Sequence, residues 1–179
     1  LLNFTRGVSA YDNALRRDVV ANWHVSHAPV IRRTKGTPVG VIGLGRIGTA
    51  SALRLKAFDM PVHFYDPYVS NGTELALGLT RHQSVASLLG AVDAVTIHAF
   101  LNDETRGLID AAAVAAMRKG TILVNTARGP ICDLDAIHDV LNAGQTAAAG
   151  LDVLPDEPPD PNHRLIAAWR NDEDWIRGR

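Results

Sequence analysis

Three glycines, Gly43, Gly45 and Gly48, have the spacing in this sequence that most directly suggests chemistry. They follow a short apolar run and precede a segment rich in helix formers, which is the order strand, tight turn, helix. The first glycine permits the sharp bend, the second leaves room for a pyrophosphate, and the third lets the helix lie close to the strand. Backbone N–H groups and the positive dipole end at the helix N-terminus would bind the phosphates, and Arg46 would add a full charge there. The spacing therefore predicts a dinucleotide site.

The second predicted strand leads into a carboxylate, Asp66, which favours NAD over NADP. A carboxylate at this place accepts hydrogen bonds from both adenosine ribose hydroxyls and repels the 2′-phosphate of NADP. The alternative is that Asp66 only begins an Asp-Pro-Tyr turn, in which its side chain bonds to the nearby backbone.

Other candidate residues lie at the ends of predicted strands, because ligands of this fold bind beyond the carboxyl ends of the strands. Arg128 follows the fifth strand, where its guanidinium would form two parallel bonds to the carboxylate of a small acid. The alternative is an ordinary loop arginine paired with a nearby acid. His98 is either a strand-end residue or a proton carrier. Glu157, in a proline-rich loop, would pass as a solvated surface acid.

From residue 39 onward, apolar runs alternate with helix-forming segments, which predicts crossover connections between parallel strands. The predicted strands span residues 39–42, 62–65, 79–82, 94–98, 121–125 and 147–152. The predicted helices span residues 47–58, 84–89, 110–117 and 134–143, with Asp110 and Asp133 as N-caps and Gly120 and Gly144 as C-terminal stops. The prediction is an α/β fold, a doubly wound parallel (Rossmann) sheet of about six strands with helices on both faces and strand order 3-2-1-4-5-6.

We expect a single domain over residues 1–179, divided into four parts. Residues 1–22 form an entry helix, with the helix itself at about 1–20, and its apolar stripe faces either its own domain or a second subunit. Residues 23–38 form a connecting loop, and residues 39–154 form the core. Four prolines between Pro155 and Pro161 make residues 155–179 an irregular tail. His24 and His27 lack further ligands at metal-binding spacing, so we expect no metal site.

Composition argues against a nucleic-acid or membrane partner. Lys and Arg number 18 against 19 Asp and Glu, and no basic block is present. No apolar run approaches the roughly 20 residues that span a bilayer. The lone Cys132 cannot form an internal disulfide, which suits a reducing compartment, so we expect a soluble, cytoplasmic protein. The thiol itself is expected to behave as an inert small hydrophobe.

Between Gly36 and about Pro159, the sequence resembles the cofactor domain of the NAD-dependent D-2-hydroxyacid dehydrogenases. The stretches that carry the resemblance are Gly-Leu-Gly-Arg-Ile-Gly at 43–48, Phe-Tyr-Asp-Pro-Tyr at 64–68, Glu-Thr-Arg-Gly-Leu-Ile at 104–109, Leu-Val-Asn-Thr-Ala-Arg-Gly at 123–129 and Gly-Leu-Asp-Val at 150–153. Asp-Pro-Tyr at 66–68, Ala-Leu-Gly-Leu at 76–79 and Leu-Asn at 101–102 are most similar to the branch that contains the C-terminal-binding proteins, which are NAD-sensing corepressors. Phe100 and Pro130 depart from the family pattern.

The resemblance implies two sets of site residues. The cofactor set is Gly43, Gly45, Arg46, Ile47, Gly48, Asp66, His98, Ala99, Thr105, Thr126, Ala127 and Asp152. The catalytic set is Arg128, which would bind the substrate carboxylate and carbonyl oxygen, and Glu157, which would pair with a catalytic histidine. No histidine after Glu157 matches that histidine, and the substrate domain is likewise missing. We therefore expect this piece to bind NAD but to turn over almost nothing alone.

Two functions follow from the resemblance. The first is an oxidoreductase that transfers hydride between NAD and a small D-2-hydroxy acid or 2-oxo acid, of which this chain is the cofactor domain. The second is an NAD(H)-responsive, dimerising, corepressor-like binding module. A homodimer is expected in both cases.

Overall fold

A computed structural model describes residues 1–24 and 32–179 of the chain. At its centre lies one sheet of six parallel strands in the order β3-β2-β1-β4-β5-β6. The strands are β1 (Val39–Ile42), β2 (Val62–Tyr65), β3 (Thr80–Arg81), β4 (Ala94–Ile97), β5 (Thr121–Asn125) and β6 (Thr146–Leu151). The predicted fold class and strand order are confirmed, and the predicted strand bounds differ from the observed ones by at most one residue at each end.

β1 and β4 form the middle of the sheet and are buried along their whole lengths. Strands on both sides and helices on both faces exclude water from them, which explains why their sequences are almost wholly apolar. β1 pairs with β2 on one side and β4 on the other, with Val39 opposite both Val62 and Ala94. The carboxyl ends of these three strands therefore meet at one edge, and the glycine turn that follows β1 lies between the other two.

Helices cover both faces of the sheet. They are α3 (Arg46–Ala57), α4 (Thr73–Leu77), α5 (Val85–Leu89), α6 (Ala111–Ala115) and α7 (Leu134–Asn142), preceded by α1 (Leu2–Arg6) and α2 (Val8–Arg17) and followed by α8 (Arg164–Arg170). Ala52 of α3 packs with Val41 on one face. Leu88 of α5 and Ile137 of α7 pack with Ile42 on the other. Neighbouring residues of β1 thus supply both cores, as the alternation of side chains along a strand requires.

The predicted caps are confirmed at three of four positions. The carboxylate of Asp110 accepts from the N–H of Ala113 at 2.8 Å, and that of Asp133 accepts from the N–H of Asp135 at 2.9 Å. Gly144 follows α7 with φ 69° and donates its N–H to the carbonyl of Leu141. Gly120 does not end α6, which stops at Ala115, and lies instead in the turn before β5 with φ 81°.

The prediction of one entry helix is wrong, because Gly7 divides it into α1 and α2. Gly7 adopts the left-handed conformation with φ 66° and ends α1 by donating its N–H to the carbonyl of Phe4. The Asn3 side chain accepts from the N–H of Ser9 at 3.0 Å, which fixes the bend. α2 ends at Arg17. Phe4 packs against the sheet, whereas Val8 is exposed, so only part of the apolar stripe is used within the chain.

The prediction of an irregular tail is also wrong, since α8 follows the proline-rich segment. His163 caps α8 by accepting from the N–H of Leu165 at 3.3 Å. Arg164 forms ion pairs with Asp135 at 2.6 Å and with Asp139 at 2.8 Å, and both acids belong to α7. These exposed pairs join α8 to α7 at the surface, while Leu165 of α8 is buried in the same core as Ile137 of α7. Neither contact leaves a local sequence pattern. The short helix α4 was likewise absent from the predicted elements.

Within the two described ranges, no helix combines the length and the apolar character needed to cross a bilayer.

Candidate functional site

The three glycines of the turn after β1 differ in what surrounds them. Gly43 has φ 88°, and a Cβ added there would lie 2.6 Å from the backbone nitrogen of Ala99. A Cβ on Gly48 would lie 1.9 Å from the carbonyl oxygen of Gly43. A Cβ on Gly45, by contrast, would meet no heavy atom within 4 Å. Gly43 and Gly48 are therefore required by packing, whereas Gly45 keeps open a space that a pyrophosphate fits.

The N-terminus of α3 opens onto the same space. Gly45 is its N-cap, no side chain caps the helix, and its first turn contains no acid. Its first N–H groups therefore remain available to an anion, which the positive end of the helix dipole also attracts. Arg46 and Ile47 are both exposed in this first turn, and Ile47 is 63% exposed. The donor set and charge fit a dinucleotide phosphate.

Asp66 follows β2, and its carboxylate accepts hydrogen bonds from the backbone of the glycine turn and from the backbone of its own loop. Its Oδ2 accepts from the N–H of Leu44 at 2.7 Å, and its Oδ1 accepts from the N–H of Tyr68 at 2.9 Å. The second bond is the Asp-Pro-Tyr turn considered above, so the turn is present. Each carboxylate oxygen has a further lone pair, which leaves acceptors for ribose hydroxyls.

The loop after β4 passes beside the glycine turn. His98 donates its N–H to the carbonyl of Ile42 at 2.7 Å, and Ala99 contacts Gly43 through the backbone. His98 Nε2 lies 3.1 Å from the Thr96 hydroxyl, and burial lowers the pKa of this histidine. Further along, Thr105 Oγ1 donates to the carbonyl of Phe100 at 2.6 Å and so closes the loop on itself.

A contact that sequence reasoning missed joins the loops after β2 and β4. The Tyr68 hydroxyl donates to the carboxylate of Glu104, and this hydrogen bond raises the pKa of Tyr68. Asp66 holds the backbone of Tyr68, while Asn102 Oδ1 accepts from the N–H of Glu104 at 3.1 Å. Tyr68 and Glu104 are both exposed, so the hydrogen bond between them forms at the surface.

Beyond β5 and β6 lie the remaining predicted site residues. Thr126, Arg128 and Asp152 are exposed, and Ala127 is half-buried. The Arg128 guanidinium donates to the carbonyl of Ala127 at 2.6 Å, and no ion pair to it occurs among the described residues. The alternative of an ordinary loop arginine held by a nearby acid therefore finds no support in the described part of the chain.

Arg128 and Glu157 line one cavity of about 290 Å³, together with Pro130 and the 153–155 segment. Glu157 Oε1 accepts from the N–H of Leu154 at 3.0 Å, which holds its loop in a turn. The two predicted catalytic residues, which are far apart in sequence, therefore lie on the same cavity. The arrangement can bind a carboxylate through the arginine and position a proton-carrying group through the glutamate.

Sequence reasoning also missed Asn125, the last residue of β5. It is 0% exposed and its side chain bonds to the backbone of the Arg128 loop. A polar residue at the end of a buried strand is the only signal the sequence offered.

The described residues offer neither a cluster of metal ligands nor a reactive thiol. Residues 1–24 and 32–179 contain no group of three or more His, Cys, Asp or Glu side chains that could hold a metal ion. His27 lies outside these ranges. Cys132 is buried, and burial raises the pKa of its thiol to about 12, as expected of an inert hydrophobe.

Alignments with curated relatives cover most of this chain but only a small part of each relative's length. D-3-phosphoglycerate dehydrogenase of Archaeoglobus fulgidus is 42% identical over 132 residues, which are 74% of this chain and 25% of that protein. D-3-phosphoglycerate dehydrogenase of Mycobacterium bovis is 40% identical over 158 residues, 88% of this chain and 29% of that protein. The chain thus spans between a quarter and a third of the length of these relatives.

This chain superposes on about half the length of each of two solved structures. The holo form of D-mandelate dehydrogenase from Rhodotorula graminis superposes with a TM-score of 0.81 at 32% identity, over 88% of this chain and 47% of that one. A D-isomer specific 2-hydroxyacid dehydrogenase from Xanthobacter autotrophicus Py2, in complex with NADPH and MES, gives a TM-score of 0.78 at 30% identity, over 93% and 50%. None of these four relatives bears the name of a corepressor, so the branch resemblance is not confirmed.

The family model described as "D-isomer specific 2-hydroxyacid dehydrogenase, NAD binding domain" matches residues 1–172, nearly the whole chain. The glycine turn, Asp66 and the strand order of the sheet agree with that description. This chain belongs to the family of NAD-binding domains of the D-isomer specific 2-hydroxyacid dehydrogenases.

Proposed function

We propose that the protein containing this chain is an NAD-dependent dehydrogenase that interconverts a small D-2-hydroxy acid and its 2-oxo acid. The observation that carries the proposal is the shared cavity of Arg128 and Glu157, which lies at the same edge of the sheet as the glycine turn. A carboxylate-binding arginine at that edge would place a 2-oxo acid beside the nicotinamide.

Each part of the cofactor would have its own contacts in this proposal. The α3 N-terminus, with Gly43, Gly45, Arg46, Ile47 and Gly48, binds the pyrophosphate, and Asp66 binds the adenosine ribose. The remaining residues flank the cofactor from the loops that follow the other strands: His98, Ala99, Thr105, Thr126, Ala127 and Asp152. Because Asp66 would repel a 2′-phosphate, NADH is preferred to NADPH.

Bound NAD supplies or takes the hydride in this chemistry. Arg128 holds the substrate carboxylate and stabilises charge that develops on the carbonyl oxygen. Glu157 orients a histidine that carries the proton. Since no histidine of residues 1–179 matches that position, we propose that this piece alone binds NAD without efficient turnover, and that residues 1–179 are one cofactor domain of a larger protein.

The quaternary state and the compartment are part of the same proposal. Exposed apolar side chains on the N-terminal helices, Leu2 and Val8, would contribute to a homodimer interface. We place the enzyme in the cytoplasm on the ground that Cys132 has no second cysteine within residues 1–179 with which to form a disulfide. The near balance of charge supports a small-molecule substrate rather than nucleic acid or a membrane as the partner. Sedimentation of the full-length protein would detect a persistent monomer, which would refute the dimer.

The test of the proposed activity is NADH oxidation by the full-length protein with glyoxylate, pyruvate, 2-oxobutyrate and phenylpyruvate. We expect at least one of them to be reduced, and we expect Arg128→Ala to lower kcat/KM by about 10²-fold or more, because the substrate loses its carboxylate partner. Arg106→Ala, an exposed arginine in the loop after β4, is the matched control. Activity that survives Arg128→Ala would contradict the proposal.

A further inference from the structure

The side chain of Asn125 forms the centre of the loop that carries Arg128. Asn125 Oδ1 accepts from the N–H of Ala127 at 3.0 Å, and Nδ2 donates to the carbonyl of Arg128 at 2.9 Å. Nδ2 also lies 3.4 Å from the sulfur of Cys132. The backbone from Thr126 to Arg128 therefore wraps around one buried amide.

An amide side chain can pair with both backbone groups of this bend, because the bend presents the N–H of Ala127 and the carbonyl of Arg128 to it. Asparagine offers an acceptor and a donor from the same planar group, whereas aspartate offers acceptors alone. The side chain is 0% exposed, so shortening it would take the present partner away from two buried backbone groups, the N–H of Ala127 and the carbonyl of Arg128.

The same residue connects this loop to the end of β6. The Asn125 carbonyl accepts from the N–H of Asp152 at 3.0 Å. Four residues after Asn125, a Cβ on Gly129 would lie 1.9 Å from the carbonyl carbon of Leu154, so the two loops touch through their backbones. The N–H of Leu154 in turn donates to Glu157. A continuous set of contacts thus runs from Asn125 to both residues of the cavity.

We propose that Asn125 is a positioning residue, which sets the place of Arg128 and, through the backbone contact of Gly129 with Leu154, its distance from Glu157. The proposal rests on the proposed function, since it assigns Arg128 to the substrate. Without the amide, the bend from 126 to 128 loses both of its bonds to the Asn125 side chain, and the guanidinium leaves the place where it binds a 2-oxo acid. A displacement of about 1 Å is enough to cost about 10²-fold in rate.

A double-mutant cycle in the full-length protein separates positioning from general damage to the fold. Kinetics are measured with NADH and the 2-oxo acid that gives the highest kcat/KM, for wild type, Asn125→Ala, Arg128→Ala and the double variant. If Asn125 acts through Arg128, Asn125→Ala lowers kcat/KM by about 10²-fold in wild type and by less than about twofold once Arg128 is absent. Equal losses in both backgrounds, or no loss in wild type, would overturn the proposal.

Two further variants exclude a merely structural effect. Thr121→Val removes a buried hydrogen bond to the Arg118 carbonyl at the opposite end of β5, and we expect its kcat/KM to stay within about twofold of wild type. Asn125→Ser keeps a neutral hydroxyl that can accept from the N–H of Ala127 two residues on but has no donor for the carbonyl of Arg128, so its fall in kcat/KM should be smaller than that of Asn125→Ala. It also keeps the test available if Asn125→Ala does not fold.

Binding measurements complete the experiment. ADP-ribose, which lacks nicotinamide, should bind Asn125→Ala within about twofold of wild type, because the glycine turn and Asp66 are untouched. Oxamate, a non-reducible mimic of a 2-oxo acid, should bind its NADH complex at least tenfold more weakly. Equal loss of both ligands would identify a folding defect and overturn the positioning role. If Arg128→Ala itself keeps full activity and full oxamate affinity, the proposed function fails, and the cycle shows which of the two claims is at fault.

Discussion

Asp66 and Leu44 are joined by a hydrogen bond of 2.7 Å from the backbone N–H of Leu44 to the carboxylate of Asp66. The other carboxylate oxygen of Asp66 holds the N–H of Tyr68. The residue expected to select NAD thus also holds the glycine turn against the end of β2. The nucleotide preference and the shape of the phosphate site therefore depend on one side chain.

We predict that Asp66→Asn weakens NADH binding by about tenfold and narrows the preference for NADH over NADPH. An amide has one acceptor oxygen, so its NH₂ group would face the N–H of either Leu44 or Tyr68, and a charge-assisted bond worth about 1.5–3 kcal/mol is lost. Removal of the negative charge also removes the repulsion of a 2′-phosphate. Fluorescence titrations with both cofactors measure the two affinities.

The matched control is Asp59→Asn, at the opposite end of β2. Asp59 is exposed and pairs with Lys35 at 3.3 Å, far from the phosphate site. Its affinities should equal those of wild type. An unchanged NADH affinity in Asp66→Asn would contradict the role of this carboxylate.

Gly45→Ala should impair NADH binding without lowering stability, whereas Gly48→Ala should lower stability. Gly45 has φ −71° and open space at its Cβ position, so Gly45→Ala should keep the wild-type Tm while the new methyl group blocks the pyrophosphate and lowers NADH affinity. Gly48→Ala should lower stability by about 1–3 kcal/mol or more, because its Cβ overlaps the carbonyl of Gly43. Calorimetry and NADH titration of both variants give the comparison. A Gly45→Ala protein that binds NADH normally would place the pyrophosphate elsewhere.

The sequence predicted those parts of the fold and site that follow from local patterns. The bounds of β1, β2 and β5 are reproduced because each is a short, mostly apolar run bounded by turn residues. Gly43, Gly45 and Gly48 were found because a tight turn and a close helix leave a fixed spacing. Each of these signals is contained within a few consecutive residues.

The parts that were missed depend on contacts between distant residues. α8 is held by Arg164 against acids of α7, and the Tyr68 contact with Glu104 joins two loops that only the sheet brings together. Asn125 could not be distinguished from any polar strand end, since its function as a loop centre depends on how the following residues turn. Gly7 is a different case, because a glycine that can end a helix is a local signal. The helical spacing of apolar residues on both sides of it nevertheless predicts one continuous helix, and the structure has two.

Stability is predicted to decrease between about pH 7.5 and pH 5.5 because of a histidine pair formed by His63 on β2 and His82 directly after β3. His63 Nδ1 lies 2.9 Å from His82 Nε2. Burial lowers the pKa of both histidines, and the charge of His82 lowers that of His63 further. The unfolded chain then binds these protons more readily than the folded one, so stability is full above the ordinary histidine pKa of about 6.5 and is lost as the pH falls through it.

Urea unfolding of wild type and His63→Phe at the two pH values measures this effect. We expect the wild-type midpoint to fall at the lower pH and the fall to be smaller in the variant, which retains a ring but cannot take a proton. A wild-type midpoint that is constant or higher at pH 5.5 would refute the sign of the effect.

If a D-isomer specific dehydrogenase is built on this NAD-binding domain, the handedness of its reaction product will show it. The full-length protein is incubated with NADH and the best 2-oxo acid of the panel, and the two enantiomers of the 2-hydroxy acid are separated by chiral chromatography. We predict the D enantiomer, formed in an amount equal to that of the NADH consumed. The L enantiomer, or NADH that remains unconsumed with every 2-oxo acid, would contradict it.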